Sequence, residues 1–270
     1  MPELPEVETV KRQLHTGLAG RKIVDLEIWK QERIEPQAEK FADALFGRTF
    51  NSVERRAKLL IFKLDDGNAL TAHLKMTGKF VFVDSGYKPD KHDRILFVLD
   101  DGTRLVWSDV RQFGFIHHVS GSELENILSA YGPEPLETSA QNLAERIAKP
   151  KTRLVKAALL NQEVVAGIGN IYADEACFRA GVRPTRRLGS LSSAERELVM
   201  AEAQNILRES IAQKGTSAND YVDTAGERGG FLELLRVYGR QGEPCRTCKT
   251  PIKKIVLVQR GTHFCPKCQK

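Results

Sequence analysis

The chain has 270 residues, 41% of them hydrophobic, with no apolar run of the ~18 residues that a membrane helix needs, so a globular protein with one large or two modest cores is expected. Lys and Arg total 41 against 35 acids, giving a net charge of +6 and a pI near 9.0, a moderate basicity that on its own favours nucleic acid only weakly. The N-terminus is acidic and lacks the basic-then-apolar pattern of a secretory leader, so a cytoplasmic protein is expected.

The first ten residues are MPELPEVETV. Residues 5–20 read as a helix, because Val7, Val10, Leu14 and Leu18 recur at helical spacing. Pro5 suits the first turn, Glu6 and Glu8 suit the positive end of the helix, and Gly20 suits its stop. A plain helix start explains Pro2 and Glu3 less well. Removal of Met1 would expose a secondary amine at Pro2, less basic than a lysine and so more often free near neutral pH. Such an amine can attack a sugar C1′ and form an iminium directly, and Glu3 beside it can protonate the departing sugar oxygen.

From about 22 to 119 the pattern is that of strands. KIVDLEIW alternates, and LLIFKLDDGNALTAHL and RILFVLDDGTRLVW are apolar runs each broken by Asp-Asp-Gly, a hairpin signal. A β-sandwich or barrel led by one helix is expected. YGPEPLET at 131–138 is a boundary with two prolines and a glycine, after which the pattern turns helical. KAALLNQ reads as a helix that stops before a turn containing Gly167 and Gly169, with a second helix starting at Asn170 as N-cap. A glycine turn feeding a helix N-terminus can bind an anion, and two helices joined by a tight turn is a DNA-binding layout. Lys151, Arg153 and Lys156 lie just upstream. Residues 192–214 carry Ser192 and Glu195 as a capping box ahead of an apolar face. TSANDYVDTAGERGG at 216–230 reads as a mobile loop.

Four of the five cysteines fall in the last 26 residues, as CRTC and CPKC separated by 16 residues. Cys245, Cys248, Cys265 and Cys268 can therefore present two thiolates from each of two knuckles, a tetrahedral site for one structural zinc ion. Four thiolates leave no open position, so this zinc is not catalytic. The intervening strand-like segment would carry Gln259, Arg260 and Gly261 at its tip, where a guanidinium can meet a phosphate. Cys177 sits on a helical apolar face and reads as a buried structural thiol.

PELPEVET, ERRAKLL, HLKMTG, DVRQFG, AGIGNIYADE and QRGTHFCPKC follow one another in this order along the whole chain. Together they resemble the formamidopyrimidine-DNA glycosylases, the bacterial 8-oxoguanine repair family. The sister family, endonuclease VIII, typically opens with PEGPE; Leu4 here favours the formamidopyrimidine branch. The resemblance implies that Pro2 is the nucleophile, Glu3 the acid that assists sugar opening, and Glu6 a support for that end of the helix. It implies that Lys58 contacts phosphate and helps β-elimination, although this chain has Ala57 where the family pattern has glycine, so a local backbone adjustment is expected. Met76, Arg111 and Phe113 would fill the void left by a flipped base, Arg111 facing the orphaned cytosine. His92, Arg153, Lys156 and Asn170 would contact DNA, and Arg260 a phosphate while assisting δ-elimination. The loop at 216–230 would close over the flipped base; many members have Arg or Lys where this chain has Asn219.

The expected fold is α+β: a β-sandwich with its N-terminal helix over 1–131, a helical helix-two-turn-helix domain with the capping loop over 132–230, and a zinc finger over 231–270. DNA would lie in a basic cleft between domains. The expected activity is excision of oxidised purines from damaged double-stranded DNA by a monomeric, nucleoid-associated enzyme, followed by β,δ-elimination. Two alternatives are an endonuclease VIII-like enzyme for oxidised pyrimidines and a non-catalytic zinc-finger DNA-binding protein. PELPE with the full DVRQFG set argues against the first, and the joint presence of Pro2, Glu3 and Lys58 against the second.

Overall fold

A computed structural model describes residues 1–218 and 220–270. The chain divides into two compact units, Met1–Ser129 with Gln213–Gly230, and Ala130–Ala212 with Phe231–Lys270. This division differs from the expected one in two places. The segment 213–230 belongs with the first unit, and the cysteine module forms one body with the helices that precede it.

The first unit opens with helix α1 (Leu4–Leu18), whose buried stripe is Val7, Val10, Leu14 and Leu18, as the periodicity requires. Nine strands follow: β1 (Ile23–Ile28), β2 (Ile34–Glu35), β3 (Phe50–Arg56), β4 (Leu59–Leu64), β5 (Ala69–His73), β6 (Gly78–Val83), β7 (Asp93–Leu99), β8 (Arg104–Asp109) and β9 (Phe115–Val119). They form a four-stranded sheet in the order β1-β7-β8-β6 and a five-stranded sheet in the order β2-β9-β5-β4-β3. Both Asp-Asp-Gly signals turn hairpins, β4 into β5 and β7 into β8, with Gly67 and Gly102 at positive φ. The strand reading missed helix α2 (Ala38–Leu45), whose Phe41 and Leu45 lie one turn apart and are both fully buried.

One apolar core joins the two sheets to α1 and α2. Phe62 of β4 meets Phe80 of β6 at 5.4 Å between ring centres, and Phe50 of β3 meets Phe97 of β7 at 6.5 Å, so aromatic pairs bridge the sheets. Each such ring contributes about 1.5–3 kcal/mol on burial, against about 0–1 kcal/mol for an exposed ion pair, so the sandwich is held by its interior.

The second unit is helical. After α3 (Gly121–Ser129), which closes the first unit, come α4 (Ala140–Ile147), α5 (Val155–Leu160), α6 (Asn170–Arg179) and α7 (Ser193–Ala212). The capping box of α7 forms: Glu195 N–H donates to Ser192 Oγ at 3.1 Å and Ser192 N–H to Glu195 Oε2 at 2.7 Å. Gln204 of α7 donates to the carbonyls of Pro135 and Thr138, both at 2.7 Å, tying the helix to the proline-rich boundary. The chain ends in the hairpin β10 (Lys253–Leu257) and β11 (Arg260–Phe264). Several links attach this module to the helices. Gln269 Nε2 donates to Val182 O at 2.9 Å, and Arg183 donates to the carbonyls of Gln269 and Pro266. Glu175 of α6 accepts the backbone N–H groups of Arg236, Val237 and Tyr238.

Candidate active site and nucleic-acid contacts

The N-terminus of α1 is built around two carboxylates. Glu3 is the N-cap and Glu6 the third helical residue, and they form a capping box, with Glu3 N–H donating to Glu6 Oε2 at 2.7 Å. Glu3 is 2% exposed and Glu6 1%, and Pro2 is buried beside them. The other Glu6 oxygen accepts Thr216 N–H at 2.7 Å, across 210 residues of chain. Tyr221 Oη donates to Lys214 O at 3.2 Å. The foot of the segment 213–230 is thus bonded to the helix end that carries Pro2 and Glu3. The sequence presents Glu6 as a first-turn acid and support; the structure adds this clamp. At its described residues the segment is anchored in the fold, with Thr216, Ser217, Asp223 and Thr224 all buried. Asn219 lies outside the described residues.

Gly215 makes the clamp sterically possible. It has φ +88, and a Cβ there would lie 2.8 Å from Glu6 Oε1. Gly215→Ala is expected to destabilise the protein by about 1–3 kcal/mol, from left-handed strain plus the clash. Denaturant unfolding monitored in parallel with the wild type checks this; an unchanged midpoint would remove the clamp from the account.

Glu8 works differently from the helix-end role expected of it. Burial opposes its charge, but hydrogen bonds from Arg55 at 2.9 Å and Arg12 at 2.8 Å outweigh that and hold its carboxyl below the ordinary range. Arg55 also donates to Ala57 O at 2.9 Å, fixing the turn that leads into β4. Ala57 there has φ +55, a left-handed conformation that costs a non-glycine residue about 1–2 kcal/mol. The backbone adjustment expected at Ala57 is this left-handed residue, and Lys58 follows it, 6% exposed. Burial, helped by the charges of Lys75 and Lys58, drives the His73 imidazole down to about 3, so it is neutral near pH 7.

Met76, Arg111 and Phe113 lie on two loops of the same unit, β5–β6 and β8–β9. Asp109, 1% exposed, joins these loops: it accepts Thr77 Oγ1 at 2.5 Å, Gly114 N–H at 2.7 Å and Arg111 N–H at 3.2 Å. The sequence reading did not single it out. Its only local trace is an aspartate two residues before a backbone N–H that it can accept. Phe113 is 48% exposed, and the Arg111 guanidinium lies 5.0 Å from its ring centre, so an apolar wedge and a forked donor stand together at the surface. His92 is half-buried, and its carbonyl accepts Asp109 N–H at 3.0 Å, which links it to the same hub.

In the second unit α5 and α6 are joined by residues 161–169. Gln162 braces this linker, donating to Leu160 O and Ile168 O and accepting Gly167 N–H at 2.8 Å. Gly169 is the N-cap of α6, so Asn170 is its first residue and not the cap expected. Its Nδ2 donates to Gly261 O at 3.0 Å, leaving one amide hydrogen for another acceptor. Arg260 opens β11 beside a turn of Val258 and Gln259, both at positive φ, and is exposed. Arg153 is half-buried.

Lys156 is the residue the sequence misplaced. Its spacing groups it with the DNA-contacting cations, yet it is fully buried. Its ammonium donates to Asp174 Oδ1 at 2.6 Å, Thr262 Oγ1 at 2.8 Å and Gly261 O at 3.1 Å, filling its three donor positions. Asp174 also accepts His263 N–H at 2.8 Å. Lys156 therefore sets the hairpin beside α6 and has no proton left for a phosphate.

The four C-terminal cysteines converge as expected. Their sulfurs all lie within 4.8 Å of one another, with Cys245 to Cys268 at 3.9 Å and Cys248 to Cys265 at 3.4 Å. A tetrahedron with zinc–sulfur bonds of about 2.3 Å has edges of about 3.8 Å, so the donor set fits one zinc ion. Cys265 N–H donates to Gln269 Oε1 at 2.8 Å, which orients the second knuckle. Cys177 is fully buried, and burial pushes its thiol well above the ordinary value, as a structural cysteine requires.

Three family models match consecutive stretches: the N-terminal domain of formamidopyrimidine-DNA glycosylase over residues 1–116, its H2TH domain over 131–221, and the zinc finger found in FPG and IleRS over 242–270. The chain belongs to the formamidopyrimidine-DNA glycosylase family. The formamidopyrimidine-DNA glycosylase of Desulfitobacterium hafniense is 45% identical over 274 residues, with both chains fully covered. That of Bacillus subtilis is 44% identical over 275 residues, covering 100% of this chain and 99% of its own. Among solved structures, Lactococcus lactis Fpg bound to DNA with an abasic site superimposes with a TM-score of 0.92 at 34% identity over the whole of both chains. The complex of that enzyme with DNA containing N7-benzyl-Fapy-dG matches with the same score and identity. Among the described residues no helix is long and apolar enough to cross a membrane.

Proposed function

We infer that this member of the formamidopyrimidine-DNA glycosylase family excises oxidised purines, 8-oxoguanine and formamidopyrimidines, from duplex DNA and then cuts the abasic site by β,δ-elimination. The observation that carries the reading is the buried end of α1, where Pro2 adjoins the capping box of Glu3 and Glu6. Pro2 is the nucleophile once Met1 is removed. While Met1 is attached, the ring nitrogen is an amide without a free lone pair. Freed, it forms a bond to C1′ of the flipped nucleotide as the bond from C1′ to the base breaks. Glu3 delivers a proton to the sugar ring oxygen as the ring opens, leaving an iminium between Pro2 and C1′. Loss of a C2′ proton then expels the 3′ phosphate, and a second elimination expels the 5′ phosphate. Lys58 and Arg260 stabilise the phosphates that carry this charge.

The support for the remaining roles is positional. Met76, Arg111 and Phe113 enter the void left by the flipped base, on loops that Asp109 holds together. His92 contacts the backbone near them. Asn170 and Arg260 hold phosphate, and Arg153 contacts DNA. The segment 213–230 starts at the Glu6 clamp, so its body lies against any base attached at the C1′ that Pro2 attacks. The four cysteines hold one structural zinc ion, which fixes the hairpin bearing Arg260 and takes no part in the chemistry. The enzyme acts as a cytoplasmic monomer on damaged double-stranded DNA.

Borohydride trapping on an 8-oxoguanine·C duplex, with a thymine glycol duplex in parallel and mass spectrometry of the N-terminus, tests the reading. A covalent adduct at Pro2 on the purine lesion is expected. Trapping only on thymine glycol would move the chain to the oxidised-pyrimidine branch.

Arg260 and Arg111 are expected to act on different parts of DNA. Arg260→Ala should weaken binding to every duplex and lower the slope of log affinity against log salt by about 1. Arg111→Ala should cost about 1–3 kcal/mol, concentrated on lesions opposite cytosine. A binding series with C, T, G and A opposite the lesion, at several salt concentrations, separates them. An equal loss for all four bases would take Arg111 off the orphaned base.

A further inference from the structure

Helix α1 meets the segment 213–230 a second time, two turns beyond Glu6. Gln13 Nε2 donates to Asp223 Oδ2 at 2.7 Å, and Gln13 Oε1 accepts both the N–H and the hydroxyl of Thr224 at 3.0 Å. The side-chain amide is therefore engaged at both ends by adjacent residues of the returning limb. Asp223 is 1% exposed, and its other oxygen accepts the N–H groups of Ala225 and Glu227, so the amide grips a closed turn. Thr224 O in turn accepts Phe82 N–H of β6 at 3.1 Å. One helical turn past Gln13, Gly17 lets that same Phe82 ring pack on α1, since a Cβ would lie 2.3 Å from it. Glu6, Gln13 and Gly17 lie on one stripe of α1, because seven and four residues are close to two turns and one turn. The stripe holds both limbs of the segment to the helix that Pro2 and Glu3 lead into.

We propose that Gln13 is a positioning residue that sets the segment 213–230 against the substrate base, so that it serves base excision and not abasic-site cleavage. This rests on the glycosylase reading given above. The first limb is fixed by Glu6, which is also part of the helix end and cannot be altered without disturbing Glu3. The second limb is fixed by Gln13, which touches neither Pro2 nor Glu3. Loosening it moves only what faces the base. A preformed abasic site has no base for the segment to meet, and its elimination needs only the nucleophile and the phosphate contacts. A residue with a merely structural role would depress both activities together.

The test compares Gln13→Ala with the wild-type zinc-loaded enzyme in single-turnover excision of 8-oxoguanine opposite C, in cleavage of a preformed abasic-site duplex, and in thermal unfolding. Excision is expected to slow about tenfold, with abasic-site cleavage within about twofold of wild type and the unfolding midpoint shifted by a few degrees at most. Thr224→Val removes one of the three bonds with little change of shape, and should slow excision by a smaller factor in the same selective way. The double variant should be no slower than Gln13→Ala alone, because both changes release one latch. Parallel loss of both activities, or excision equal to wild type in all three variants, overturns the proposal. Failure of the wild type itself to excise 8-oxoguanine would instead overturn the glycosylase reading.

Discussion

Glu3→Gln is expected to bind damaged DNA nearly as the wild type does and to excise 8-oxoguanine about 10²–10⁴-fold more slowly, the usual range for loss of a positioned acid. Glutamine is the informative replacement because Glu3 has two roles. As N-cap residue it faces the backbone at the third helical position, and in return its own N–H is held by Glu6. The glutamine carbonyl oxygen keeps the first role, so the capping box and the Glu6 clamp on Thr216 persist. What is lost is the acidic proton. A cap change to alanine would mix that loss with about 0.5–2 kcal/mol of helix destabilisation. Single-turnover excision together with equilibrium binding to the lesion duplex checks the prediction. Excision near the wild-type rate would assign the proton to another group.

Removing the metal is expected to abolish tight DNA binding while leaving the sandwich folded. The apolar cluster of the cysteine module contains only Val237, Cys245, Ile252 and Cys265, with Phe178, Cys248 and Cys268 against it, too little to fold a hairpin alone. Structural zinc contributes an apparent free energy of about 10–16 kcal/mol in zinc-finger peptides, far more than that cluster can. Without it Arg260 is no longer presented, and the Gly261 carbonyl that holds Asn170 and Lys156 is displaced. The damage should stop there, because the core of the first unit shares no residue with the module. Chelation, or Cys248→Ser, followed by DNA binding and by hydrogen exchange over residues 50–110, tests both halves. Metal-free protein that binds DNA unchanged, or a sandwich that unfolds with the finger, would contradict it.

The features that the sequence determined are those whose partners lie close along the chain. Two Asp-Asp-Gly turns within alternating apolar runs made hairpins, because turn chemistry and strand period act over a dozen residues. Ser192 and Glu195 capped α7 through bonds three residues apart. Two Cys-x-x-Cys knuckles converged, because nearly all the geometry of each lies within four residues. The short helix α2 escaped, since two buried residues one turn apart leave a weak period inside a strand-rich stretch.

Tertiary structure decided the destination of individual charged and polar groups. Lys156 looks in sequence like its neighbours Lys151 and Arg153, and only Asp174, 18 residues on, and Thr262, 106 residues on, turn it inward. Asp109 became the hub of two loops through Thr77, 32 residues away. The segment 213–230 joined the first unit through Glu6 and Gln13, at separations of about 210 residues. Periodicity records which face of an element is apolar, but it carries no information on which polar group meets which across the fold. A buried ammonium and a solvated one have the same letter, and the difference between them is made by a desolvation cost that only the assembled acceptors offset.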